Sequence, residues 1–146
     1  MNPATMSDTV IEQIQIKAPA ERVFEALTDP VERLKWWTSP GQFTMTHFES
    51  DLRPGGKWVM LGSGYGKDVR VEGVYREIER PRLLVMTWLP SWQLDPTESV
   101  VRFDLEEKNG VTILRLTHSG LKTEISRNSH RGWSQILGWL RGYAEK

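Results

Sequence analysis

Residues 98–119 read ESVVRFDLEEKNGVTILRLTHS, and the way this stretch folds back on itself decides the architecture. Asn109-Gly110 at its centre is a strong hairpin signal, because both residue types tolerate the positive φ that a two-residue turn demands at successive positions. With that turn, Lys108 pairs with Val111, and every later cross-strand pair keeps the same sum of residue numbers. Leu105 then faces Leu114, Phe103 faces Leu116 and Val101 faces His118. On the reverse face Asp104 meets Arg115, a favourable charge match. Apolar partners on one side and opposite charges on the other set register and polarity together: the Phe103 side is predicted to be inside.

Upstream of the hairpin the signals are also those of strands. Leu83 to Trp88 (LLVMTW) is apolar on both faces, and Asp68 to Glu79 starts with Val69 and Val71 on one face but ends with Ile78 on the other. A phase slip must lie between them, and Gly73 is its expected place, as a bulge. Arg53-Pro54-Gly55-Gly56 reads as a turn into a strand over Lys57 to Leu61, and Gly62 to Gly66 (GSGYG) as the next reversal. This glycine run is not a phosphate loop, since no Lys-Ser or Lys-Thr and no helix follows it.

Near the N-terminus, Thr9 to Lys17 alternates as a strand, and residues 1–8 are polar and read as a loose tail before a domain over 9–146. Pro19, followed by Val23, Phe24 and Leu27 at helical spacing, predicts a short helix from Ala20 to Thr28. Asp29-Pro30 supplies a cap and a first-turn proline for a second one ending at Trp36 or Trp37. At the other end, Trp133, Ile136, Leu137 and Leu140 stand at i, i+3, i+4 and i+7 with Trp139 and Tyr143 beside them. That is a helix, with Thr123, Ser126 and Ser129 as competing caps and a length of up to about 20 residues, or roughly 30 Å. An amphipathic helix needs a cover, and the antiparallel sheet is the one available. The fold class is therefore α+β: a curved sheet of six or seven strands wrapped around a long C-terminal helix, with two short helices after the first strand.

Composition narrows the function classes. The 146 residues suit one core, and 19 basic against 19 acidic residues give a net charge of zero, which argues against a nucleic-acid partner. With no cysteine, thiolate metal sites, disulfides and cysteine nucleophiles are all excluded, and a cytoplasmic location is expected. There is no signal-peptide pattern, and no apolar run approaches the roughly 20 residues of a membrane span.

Several pieces together resemble one superfamily. They are Ala18-Pro19-Ala20-Glu21-Arg22-Val23-Phe24, Leu27-Thr28-Asp29-Pro30, Asp51-Leu52-Arg53-Pro54-Gly55-Gly56-Lys57-Trp58, Gly73-Val74-Tyr75-Arg76-Glu77-Ile78, Thr87-Trp88, Leu116-Thr117-His118-Ser119-Gly120-Leu121 and Gly132-Trp133. In this order and spacing, over residues 9 to 145, the chain resembles the START-like helix-grip superfamily (SRPBCC). Within it, the chain is most similar to bacterial homologues of the C-terminal domain of the activator of the heat-shock protein ninety ATPase. The resemblance implies a domain that encloses a hydrophobic ligand between sheet and helix. The eukaryotic activator works with a separate N-terminal domain for which this length leaves no room, so ligand enclosure fits better than direct ATPase activation.

Trp37, Phe48, Trp58, Met60, Tyr75, Trp88, Phe103, Leu116, His118, Trp133 and Leu137 form the expected ligand-binding set, in which packing and cavity wall are alternative uses of each side chain. His118 reads either as a hydrogen-bonded core residue or as a group that orients a ligand or acts as a general base. His130 is a possible second polar group at the same end. His47, His118 and His130 sit on separate elements without an HxH or HExxH spacing, so no metal and no cofactor are expected. A serine triad is not indicated, because no Gly-x-Ser-x-Gly elbow is present. The leading function is non-catalytic binding of a small hydrophobic or amphipathic molecule. Two alternatives stand beside it: an enzyme of the polyketide cyclase or hydrolase kind using His118, and a module that docks on a chaperone. A second copy of the chain, as a homodimer, is a further candidate partner.

Overall fold

The computed structural model describes residues 8–39, 43–64, 66–91, 98–130 and 132–146. The expected tail therefore lies, except for Asp8, outside the described residues, as does Tyr65 in the second glycine reversal. In chain order the elements are β1 (Val10–Ile16), α1 (Ala20–Thr28), α2 (Pro30–Trp36), β2 (Thr38–Ser39), β3 (Phe43–Ser50) and β4 (Lys57–Gly64). They continue with β5 (Lys67–Glu79), β6 (Leu83–Pro90), β7 (Ser99–Lys108), β8 (Val111–Ser119), α3 (Glu124–Ser129) and α4 (Trp133–Ala144). All strands join one antiparallel sheet in the order β1-β8-β7-β6-β5-β4-β3-β2, curled around the C-terminal helix in the helix-grip manner.

Both short helices have the ends their sequences dictate. The Asp29 carboxylate accepts from the backbone N–H groups of Val31 and Glu32 at 2.9 and 3.0 Å, with Pro30 behind it in the first turn. Two side chains tie α2 back onto α1: Trp36 Nε1 donates to the Ala26 carbonyl at 2.7 Å, and Arg33 Nη1 to the Leu27 carbonyl at 2.8 Å. The Asn109-Gly110 turn has φ of 55° and 79°, and the β7–β8 register is the one that turn predicts, with Phe103 opposite Leu116 and Val101 opposite His118. Asp104 does stand across from Arg115, yet its carboxylate is held by Arg102, two residues along the same outer face, at 2.9 and 3.0 Å.

Three features depart from expectation. Among the described residues the sheet has eight strands, the additional ones being at the β2–β3 end. β3 escapes a reading of the sequence because a bulge between Met45 and His47 puts its buried residues, Met45 and Phe48, three apart, which destroys the two-residue period. In β5 the extra residue is Arg76, since the β5–β6 register shifts between Tyr75 and Glu77. Gly73 is needed for another reason. A Cβ there would lie 2.0 Å from the Thr87 carbonyl oxygen, so only glycine lets β6 come this close. Around it the ladder opens without slipping, and the Val74 N–H bonds the Thr87 hydroxyl at 2.8 Å. Finally, the long helix is two pieces. Thr123 caps α3, and α4 restarts at Gly132, so His130 stands at the junction and not on the helix that carries Trp133.

The core lies between the sheet's concave face and the helices. Trp133, Leu137, Leu140 and Ala144 of α4 are buried against it, together with Phe24, Leu84, Leu114 and Leu116. Among the described residues no helix is long and apolar enough to cross a membrane.

Candidate functional site

The inner face of the β7–β8 hairpin ends at His118, which is fully buried. Its neighbours are Ser99 at the start of β7, Trp88 on β6, Trp133 at the head of α4 and His130 at the α3–α4 junction. The hydrogen bonds among them assign every proton. An indole N–H only donates. Trp133 Nε1 lies 3.0 Å from His118 Nδ1, so Nδ1 accepts and the imidazole proton is on Nε2. That proton points at the Ser99 hydroxyl oxygen 2.7 Å away, and Ser99 in turn donates to the Trp88 carbonyl at 3.3 Å. Likewise Trp88 Nε1 donates to His130 Nε2 at 3.1 Å, which leaves His130 Nδ1–H to donate to the Ser126 carbonyl at 2.7 Å.

Both imidazoles are therefore neutral acceptors for a tryptophan. Burial, helped by the neighbouring His130 ring 4.6 Å away, pushes His118 down to about 2. Burial lowers His130 as well, partly opposed by the Ser126 carbonyl. Neither ring nitrogen of His118 is left to take a proton from a substrate, so the geometry matches the hydrogen-bonded core alternative.

Beside this network a partly open cleft of about 400 Å³ lies between the sheet and α4. Met60, Lys67 and Val69 of β4 and β5 form one wall with Phe43 of β3; Trp133, Gln135, Ile136 and Trp139 of α4 form the other. Trp37 and Trp88 close the inner end, where His130 also reaches the surface. Beneath Trp37 lies a buried cation: the Arg33 guanidinium sits 4.3 Å from the Trp37 ring and 4.5 Å from that of Phe48. Burial pulls Arg33 down to about 10, which keeps it charged at neutral pH, and its Nε has no hydrogen-bond partner among the described residues. Arg33 itself does not line the cleft.

Of the expected set, the structure brings Trp37, Met60, Trp88 and Trp133 to the cleft wall. Phe48, Trp58, Tyr75, Phe103, Leu116, His118 and Leu137 do not line this cleft. All are buried in the core behind the wall. Trp58 makes tilted ring contacts with Phe48 and Trp88, and Tyr75 shares a 2.6 Å hydrogen bond with Ser50. The physical reason is the seat of α4, which packs on β1, α1 and α2 and leaves its gap on the side of β3 to β5. Sequence reasoning missed Phe43, Lys67, Val69, Gln135, Ile136 and Trp139 as wall residues. A signal existed on α4: Ile136 and Trp139 form an apolar flank roughly a quarter turn from the core stripe of Trp133, Leu137, Leu140 and Ala144. No group of three or more metal-ligating side chains stands together among the described residues.

Comparisons with known proteins agree with this fold. The chain is similar in structure to protein CV1439 from Chromobacterium violaceum, at 25% identity and a TM-score of 0.85 over 97% of this chain and 99% of that one. Protein NE0264 from Nitrosomonas europaea shares the fold at 18% identity and a TM-score of 0.79, over 95% of both chains. CalU16 from Micromonospora echinospora does so at 24% identity and a TM-score of 0.70, over 93% of this chain and 75% of that one. A search of the curated proteins returned no significant match. The family model described as "Activator of Hsp90 ATPase homolog 1-like protein" matches residues 17–145. With that match and a helix-grip sheet closed on its C-terminal helix, this chain belongs to the Activator of Hsp90 ATPase homolog 1-like family.

Proposed function

We propose that this protein binds a compact apolar or amphipathic molecule in the cleft between β3–β5 and α4, with no reaction at His118. The observation that carries the reading is the cleft itself: about 400 Å³, with four tryptophans on its wall. Small-molecule sites span about 300–1,000 Å³, so this one suits a ligand of one or two rings or a short chain. Trp88 and Trp133 both line the cleft and donate to a histidine beneath, so their rings are held in place before a ligand arrives. Such preorganisation lowers the ordering cost of binding. Met60 adds an adaptable contact on the opposite wall.

The enzyme alternative needs a group that can exchange a proton with substrate, and His118 is fully committed by Trp133 and Ser99. Calorimetric titration with a neutral naphthalene derivative tests the binding reading. Saturable heat is expected in the native chain, and its loss in Val69→Trp and Ile136→Trp, which fill the cleft from opposite walls. Absence of saturable heat in the native chain, or undiminished binding in both filled variants, would reject the reading.

A further inference from the structure

Among the described residues, three polar side chains reach the cleft wall: Lys67, His130 and Gln135. His130 has both ring nitrogens engaged, one by Trp88 and the other by the Ser126 carbonyl. Gln135 has an interaction of its own as well. Lys67 is different. It opens β5 beside the mouth of the cleft, is exposed, and forms no ion pair among the described residues. No aspartate or glutamate lines the cleft among those residues, and the alternation of β5 places Asp68 on the opposite face of the strand. Among the described residues, the cleft thus joins an apolar wall that includes Trp88 and Trp133, whose N–H groups are already bonded, to a single ammonium group, that of Lys67.

We propose that the cleft selects amphipathic anions, with the apolar body of the ligand against Trp88 and Trp133 and its carboxylate at Lys67. This rests on the binding function above and adds its chemical class. An apolar surface binds without fixing which way a ligand lies, whereas one charge at the rim orients it and rejects cations. A carboxylate at the mouth keeps part of its hydration, so its capture is inexpensive even though the pair is weak. A lysine at a cleft rim can lay its apolar stem along the wall while its head stays in water.

The experiment compares naphthylacetate with its neutral counterpart naphthylethanol by calorimetry, in the native chain, Lys67→Met and Lys67→Glu. The acid is expected to bind about three to ten times more tightly than the alcohol in the native chain at low salt, with the ratio shrinking as ionic strength rises. The ratio should fall to about one in Lys67→Met and below one in Lys67→Glu. Near-ultraviolet circular dichroism confirms that both variants keep the native fold. If the alcohol binds the native chain and the acid has no advantage, the anion selectivity is wrong and the apolar site stands. An acid preference that persists in Lys67→Met also overturns it, by placing the recognising cation elsewhere. If neither compound binds, the proposal falls together with the binding function.

Discussion

Trp133 donates its indole N–H to Nδ1 of His118 at 3.0 Å, and that bond decides where the imidazole proton resides. The same logic runs in mirror order at His130, where Trp88 takes Nε2 and the proton is left on Nδ1. The two histidines are expected to be opposite tautomers, Nε2–H for His118 and Nδ1–H for His130. Long-range ¹H–¹⁵N correlation of the imidazole nitrogens reads this directly. Identical tautomers, or an imidazolium pattern at neutral pH, would contradict the network.

Stability should depend on pH through the same rings. Burial holds His118 and His130 below the ordinary histidine value in the folded chain, while the unfolded chain takes up protons near pH 6.5. Their contribution is therefore complete above about pH 6.5 and is lost as the pH falls, because the unfolded state binds protons first. For His118, with its folded value at about 2, the loss between about pH 8 and pH 5 is about 2 kcal/mol. His130 adds a loss of the same sign. Urea midpoints across this range should fall steadily in the native chain and less steeply in His118→Gln. Equal slopes in the two would show that His118 does not titrate on unfolding.

Trp133 heads the core stripe of α4, lines the cleft and supplies the His118 hydrogen bond. Replacing it with alanine should cost about 3–5 kcal/mol. Trp133→Phe keeps a ring but leaves a buried acceptor on His118, a cost of about 1–3 kcal/mol. Chemical denaturation of both variants separates packing from hydrogen bonding; a phenylalanine variant as stable as the native chain would deny the bond its role.

Gly73 should tolerate no side chain. A Cβ would lie 2.0 Å from the Thr87 carbonyl oxygen and 2.8 Å from Trp58 Nε1, and the first of these is backbone in the middle of the sheet. Gly73→Ala is expected to lose about 3 kcal/mol or more, against about 1–2 kcal/mol for Gly66→Ala, where the strain is a positive φ of 78° in open space. Thermal melts of the two variants give the order.

The parts of the fold that are legible in the sequence are those specified by neighbouring residues. Asp29-Pro30 marks a helix start by a local hydrogen bond, and Asn109-Gly110 carries a register through nine residues because a hairpin propagates its own pairing. The bulges at β3 and Arg76 are not legible, since nothing in Met45-Thr46-His47 or Tyr75-Arg76-Glu77 distinguishes an extra residue from a paired one. For the candidate site, the aromatic residues singled out in the sequence fall both at the cleft wall and behind it, and inward direction alone cannot separate Trp88 at the wall from Trp58 behind it. That difference comes from where α4 is seated, a relationship between elements distant in sequence. Lys67 goes unnoticed for a related reason: on its own strand it is an ordinary exposed lysine, and only the opposing helix makes it the rim of a cleft.

The indoles of the core also form a continuous optical path. Ring centres step from Trp36 to Trp37 at 5.2 Å, to Trp133 at 5.7 Å, to Trp88 at 5.1 Å and to Trp58 at 5.6 Å. Chromophores this close exchange excitation faster than they emit, so these five of the seven tryptophans behave as one antenna. Light absorbed at Trp36, on the α1 side, can be quenched by a molecule touching Trp88 or Trp133 in the cleft. The coupled transitions should yield a strong near-ultraviolet circular dichroism band that any occupant of the cleft perturbs, giving the protein a built-in reporter of its own occupancy.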